Sequence, residues 1–296
     1  AKTVHKYHIP LIVDEAHGAH FGFHKAFPKN ANEKGADIVI HSLHKTLPAM
    51  TQTALIHLNR KIIDREKVRN YLHMLQSSSP SYVLMASIDY CMEMLENQRN
   101  ILFEGYVEKL ITLRKNLEKL KHLQIIRTEH FDISKLIISV KSTNITSGEL
   151  SKILLEKYHL QMEMTAGTYV LAMTTVGDTE EGFSRLKEAL FEIDETLKSE
   201  KREEEDLELP HLPLVCRSAE VQKSVQRDGL SYIKWEDAEG KIAGEYAYVY
   251  PPGIPFLVPG ERITNEAVQC LKRYEELQFT IEGIAVEKHI GVWKNG

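Results

Sequence analysis

Two short apolar segments, each closing on a chemically reactive residue, constrain this chain more than any other feature. Residues 9–14 form an apolar run that ends in an acid, within Ile12-Val13-Asp14-Glu15-Ala16-His17. Residues 36–41 form a second run, which passes into Ser42-Leu43-His44-Lys45-Thr46. Continuous rather than alternating apolar residues are the pattern of parallel strands buried on both faces. Gly18, Gly22 and Pro28 break the chain between the runs, and residues 52–58 predict a third strand after a loop over 42–51. The spacing predicts an open α/β sheet with Asp14 and Lys45 at the C-terminal ends of strands, where ligands of such sheets collect.

An acid and a lysine in those places are what a pyridoxal phosphate (PLP) site needs. The lysine amine can hold the cofactor as a Schiff base, and the acid keeps the ring nitrogen protonated, so that the ring accepts electrons. Ser42, His44 and Thr46 offer hydroxyl and imidazole N–H groups to a phosphate. Ala16 leaves room for a flat ring, and His17 can meet a ring hydroxyl or a substrate carboxylate. The plainer readings are a strand-end cap for Asp14, a surface lysine and a loop histidine. His17, His20 and His24 have the spacing of metal ligands on a helix, but Gly18 and Gly22 disfavour a helix there, and no metal site is expected. Asp14-Glu15-Ala16-His17 also spells a helicase motif, whose upstream phosphate loop is absent from the chain.

The 296 residues suffice for two or three domains, and 43% hydrophobic with 27% charged residues is ordinary for a globular chain. A net charge of −5 gives no reason to expect nucleic acid. No apolar run is long enough to span a bilayer, and no membrane partner is expected. Three scattered cysteines, Cys91, Cys216 and Cys270, fit a reducing cytoplasm. The chain opens on Ala1 and runs within ten residues into a strand, as expected of the C-terminal part of a longer protein.

Helical spacing covers 61–75 and, after Ser77-Ser78-Ser79-Pro80-Ser81, a long amphipathic stretch over 82–120 with Leu84, Ile88, Cys91, Met92 and Leu95 on one stripe. Strands are expected at 124–127 and 135–140, and a helix at 147–158 capped by Ser147. A hairpin is expected over 160–174 around Ala166-Gly167, then a helix at 179–197. The charged run over 199–209 reads as a solvated linker. Beyond it, Tyr250-Pro251-Pro252-Gly253-Ile254-Pro255 and Pro259-Gly260-Glu261 precede a helix over 263–277.

Asp14-x-Ala16-His17, Ser42-x-His44-Lys45-Thr46, Thr51-Gln52, Ser78-Ser79-Pro80-Ser81-Tyr82 and the two proline-glycine blocks occur in an order that resembles the bacterial ornithine/lysine/arginine decarboxylases. The resemblance implies an α/β chain of PLP-dependent transferase fold type I. It would comprise a partial large domain with a mostly parallel sheet (1–105), a small α+β domain (106–200) and a C-terminal α+β decarboxylase domain (201–296). It implies PLP on Lys45, with Asp14 at the ring nitrogen, Ser42 and His44 at the phosphate, and Ala16 and His17 along the cofactor. Lys45, Asp14 and His44 are the candidate catalytic residues. Ser79, Pro80 and Tyr82 would line a substrate pocket completed by a second subunit, in a homodimer or larger homo-oligomer. The expected reaction is loss of CO2 from lysine, arginine or ornithine. The alternatives are an α-oxoamine synthase, an aminotransferase using Arg127 or Arg185 for the α-carboxylate, or an inactive fragment that keeps only assembly surfaces.

Overall fold

The computed structural model describes residues 1–59, 62–200, 209–249, 254–276 and 281–294. The chain divides into two compact units, Ala1–Glu163 with Thr168–Glu200, and Met164–Gly167 with Lys201–Gly296.

The first unit opens with a one-turn helix α1 (Lys2–His5), followed by β1 (Ile12–Asp14) and β2 (Ile38–Ser42). β1 and β2 pair in parallel, Asp14 opposite Ile40. β2 then enters α2 (Leu43–Thr46), and β3 (Ala54–Leu58) returns antiparallel along β2. Buried Asp37 ties the start of the chain to this sheet, accepting from Leu11 N at 2.7 Å and lying 2.6 Å from His5 Nε2. The sheet departs from the sequence expectation at two places. The first strand is short and exposed rather than buried: it lies at the sheet edge, and Ile12, Ile40 and Ile56 share a solvent-facing side while Val39 and His41 face the interior. The expected loop over 42–51 begins instead with α2, whose last turn closes through Leu47 N to Leu43 O.

α3 (Arg65–Leu75) is capped by Asp64, and α4 (Tyr82–Leu117) by Ser81, whose hydroxyl accepts from Leu84 N. The stripe of α4 continues beyond the expected residues through Phe103, Tyr106, Leu110, Leu113 and Leu117, all buried. Positions three and four apart share one helix face, and burying each such side chain contributes about 1.5–3 kcal/mol. Residues 105 and 106 both lie inside this helix.

β4 (Gln124–Ile126), β5 (Lys135–Ser139), α5 (Ser147–Tyr158), β6 (Met164–Ala166), β7 (Tyr169–Met173) and α6 (Glu180–Thr196) follow. β5 lies between β4 and β7 and is antiparallel to both. The cap of α5 is Thr146 rather than Ser147. The Thr146 hydroxyl accepts from Glu149 N at 3.1 Å, and Glu149 Oε2 accepts from Thr146 N at 2.7 Å. This reciprocal pair satisfies two donors at once, which leaves Ser147 as the buried first helical residue.

The second unit holds α7 (Ser218–Asp228), β8 (Leu230–Lys234), β9 (Ala247–Val249), β10 (Ile254–Leu257), α8 (Asn265–Glu276), β11 (Ile281–Glu282) and β12 (His289–Trp293). β9 is flanked by β10 and β11, and β12 pairs with β8, all antiparallel. Their core includes Trp235, Phe256, Leu257, Leu271 and Ile290. Of the two proline-glycine blocks, Tyr250 to Gly253 lie outside the described residues, as do 201–208 of the charged run. Gly260 explains part of the second block. Its φ is +98°, and a Cβ there would lie 2.3 Å from Cys216 O, while its own carbonyl accepts from Val215 N and Cys216 N. Backbone strain and a clash with backbone act together, so Gly260→Ala is expected to cost about 2–4 kcal/mol in urea unfolding. A loss under about 0.5 kcal/mol would contradict this packing.

Candidate active site

Asp14 and Lys45 are brought to neighbouring strand ends because β1 and β2 run in parallel, with Glu15 N donating to Ile40 O at 2.9 Å. Beyond β1 the chain turns through a 3-10 turn, Ala16–Gly18; beyond β2 it turns into α2. These two turns pack together and place Lys45 Nζ 2.8 Å from His17 Nε2. Asp14 is exposed rather than buried as expected, because its edge strand has one open face. Its Oδ1 accepts from Ala16 N at 3.0 Å, which is the geometry of a strand-end cap.

His17 is half-buried. Burial pushes its imidazole below the ordinary value, and the Lys45 and Lys135 cations push the same way, while Glu163 and Asp14 partly oppose them. A neutral imidazole with a free lone pair at Nε2 can accept a hydrogen bond from the lysine. His44 has a different partner. Its Nδ1 lies 3.0 Å from Thr53 O and must therefore carry a proton to donate, which fixes the tautomer. Ser42 sits at the start of α2, where its hydroxyl caps no backbone N–H. Thr46 is buried, and its Oγ1 has no partner among the described residues. Ser79 and Pro80 lie at the exposed approach to α4, and Tyr82 is its first residue; none of them joins the hydrogen bonds of Asp14, His17 or Lys45.

Several residues at the site carried no signal in the sequence. Glu163 places a carboxylate oxygen 3.5 Å from His17 Nε2. Lys135, on β5, reaches His17 O at 3.4 Å and Asp132 Oδ2 at 3.1 Å. His20, caged by Phe21 and Phe27 with ring centroids at 4.8 and 4.7 Å, lies 3.2 Å from the same Asp132 oxygen. Burial works against the Asp132 charge, but the hydrogen bonds from His20 and Ser134 and the Lys135 cation prevail and hold its carboxyl well below the usual carboxylate range. Burial holds the His20 imidazole below its ordinary value, while the hydrogen bond to Asp132 and the charge of that carboxylate oppose the shift. Arg114 of α4 donates to Ile133 O at 2.9 Å and Lys135 O at 2.6 Å, which fixes the stretch presenting Lys135; burial pushes this guanidinium down to about 10. Under the sheet, Glu15 accepts from Ala31 N and lies 2.8 Å from His41 Nε2, and His41 Nδ1 lies 3.1 Å from His57 Nε2. This chain of side chains links all three strands beneath the site. His17, His20 and His24 face Lys45, Asp132 and Glu104 respectively. Arg127 pairs with Glu118 at the surface, and Arg185 is exposed on α6.

Comparison with known proteins decides the family. Residues 1–149 match the major domain of the Orn/Lys/Arg decarboxylases, and residues 204–294 match their C-terminal domain. The chain belongs to the Orn/Lys/Arg decarboxylase family. Among family members it is 30% identical to an arginine decarboxylase of Bacillus subtilis (strain 168), over 95% of this chain and 59% of that protein. It is 33% identical to the uncharacterized protein YaaO of the same organism, over 94% of this chain and 58% of that protein. The chain thus spans about three-fifths of the length of these curated relatives. Its fold matches the E. coli constitutive lysine decarboxylase with a TM-score of 0.78 at 17% identity, covering 97% of this chain and 55% of that one.

Proposed function

We propose that this chain carries the PLP-dependent decarboxylation of a basic amino acid: arginine, lysine or ornithine. The observation that supports this most strongly is the Lys45–His17 contact of 2.8 Å at the strand end next to Asp14. The residues fit the cofactor. Lys45 supplies an amine, Asp14 an exposed carboxylate, and buried Thr46 a hydroxyl with no partner in the described protein. Lys45 would hold PLP, Asp14 would face its ring nitrogen, Ser42 and His44 would approach its phosphate, and Ala16 and His17 would lie along the ring. When bound, PLP supplies an electron sink for the bond broken at the substrate's α-carbon. The protein's part is to bind and orient. His17 holds or accepts a proton at Nε2 beside the lysine, and Glu163 sets a carboxylate oxygen 3.5 Å from the same nitrogen. The Arg127 and Arg185 placements give no support to an aminotransferase-type carboxylate clamp.

A second copy of the chain belongs to this reading. α3 has no buried residue, and Tyr71, Met74, Leu75, Tyr82, Met85 and Tyr90 are exposed on α3 and early α4. Apolar exposure on that scale marks an interaction surface, and Ser79, Pro80 and Tyr82 lie at it. In this reading residues 1–105 belong to the PLP-binding large domain, 106–200 to the small domain and 201–296 to the C-terminal domain. Among the described residues, no helix is long and apolar enough to cross a membrane.

The test is an assay of CO2 and amine release from arginine, lysine and ornithine with PLP added. One of the three should be converted to its amine in preference to neutral amino acids. Amino-group transfer without CO2 release, or no reaction while PLP is bound, would overturn the reading.

A further inference from the structure

One ring nitrogen, Nε2 of His17, has two competing partners. Lys45 Nζ lies 2.8 Å from it and a Glu163 carboxylate oxygen 3.5 Å from it. The nitrogen can use its lone pair to accept from the lysine, or carry a proton and donate to the carboxylate, but it cannot do both. We propose that Glu163 is a positioning residue that competes with Lys45 for His17 Nε2, so that the protonation of this imidazole decides whether the lysine amine is held or released. This rests on the reading of Lys45 as the cofactor lysine.

The charged groups facing the imidazole come from four places: Asp14 at the end of β1, Lys45 on α2, Lys135 on β5, and Glu163 just before β6. Burial and the two lysines disfavour the imidazolium; Glu163 and Asp14 favour it. A neutral His17 therefore accepts from Lys45. A proton taken from solvent turns Nε2 into a donor, completes the ion pair with Glu163 and sets a positive charge against the lysine. Glu163 is partly exposed, so the effect of its charge is reduced by solvent.

The signs of two substitutions follow. Glu163→Gln removes an anion, so His17 should titrate at lower pH. Lys135→Gln removes a cation, so His17 should titrate at higher pH. Each shift should be about half a pH unit, the scale of a partly exposed ion pair. A purely structural role would not give opposite signs. The experiment is an NMR titration of the His17 ring in the whole chain, its resonance assigned by its loss in His17→Phe, with the Lys45 side-chain resonance followed alongside. Lys45 should sense the His17 titration in the unsubstituted chain and follow it to lower pH in Glu163→Gln. If Lys135→Gln does not fold, Lys45→Met removes another facing cation and should give the same upward shift. Unmoved midpoints, shifts of the same sign, or a Lys45 resonance blind to His17 would overturn the proposal. Opposite shifts in a chain that takes up no PLP would instead leave this proton competition standing and remove the cofactor reading.

Discussion

Lys45→Ala should abolish the visible absorption band that PLP gives on forming a Schiff base, and with it all turnover of a basic amino acid. Loss of a proton-transfer group alone costs about 10²–10⁴-fold in rate. Removing Lys45 also removes the covalent hold on the cofactor, so a larger drop is expected. The fold should survive. Lys45 lies on a single turn, α2, whose buried contacts come from Leu43 and Thr46. Far-UV circular dichroism should therefore be unchanged while the band disappears. A band that persists would mean that another lysine holds PLP, and Lys135, with its Nζ 3.4 Å from His17 O, would be the first to examine.

Asp194→Ala should destabilise the first unit more than any surface change. Asp194 lies on α6, is 2% exposed, and accepts three backbone hydrogen bonds, from Lys121 N at 2.7 Å, His122 N at 2.9 Å and Leu123 N at 2.7 Å. Those donors lead directly into β4, so one carboxylate anchors the strand to the helix. Hydrogen bonds to charged groups contribute about 1.5–3 kcal/mol each, and stranded buried donors cost about 1–3 kcal/mol. A loss of about 3–6 kcal/mol is expected in urea unfolding, a large share of the roughly 5–15 kcal/mol typical of a domain. Asp194→Asn keeps the oxygen facing His122 and Leu123 and should cost only about 1–2 kcal/mol. An alanine variant that loses under about 1 kcal/mol would contradict this account.

Helices were the most legible part of the fold because their signals are local. The stripe from Leu84 to Leu95 marks the buried side of α4, and Thr179 caps α6 where the helix was expected to begin. Local signals mislead where a competing bond, or the cover over a strand, decides the outcome. Thr146 outcompeted Ser147 as a cap because only Thr146 completes the reciprocal bond with Glu149. An apolar run at the position of β1 announces a strand, but not whether anything covers it; Ile12 is 60% exposed.

The site was legible in the same divided way. Asp14, His17, Ser42, His44 and Lys45 stand out because reactive residues at the ends of apolar runs are visible in one dimension. Glu163, Lys135 and Asp132 do not, since they reach His17 and His20 only through the packing of a distant part of the chain. Asp194 looks like any acid on an amphipathic helix, and its three donors lie some 70 residues away. His44 was visible, but its bond to Thr53 O depends on how β2 and β3 are joined.

The most direct test of the central claim is to incubate the chain with PLP, reduce it with borohydride, and map the labelled peptide by mass spectrometry. One phosphopyridoxyl group on Lys45, absent from Lys45→Ala, is the predicted result. A label on Lys135, or one spread over surface lysines with Lys45 unmodified, would contradict it.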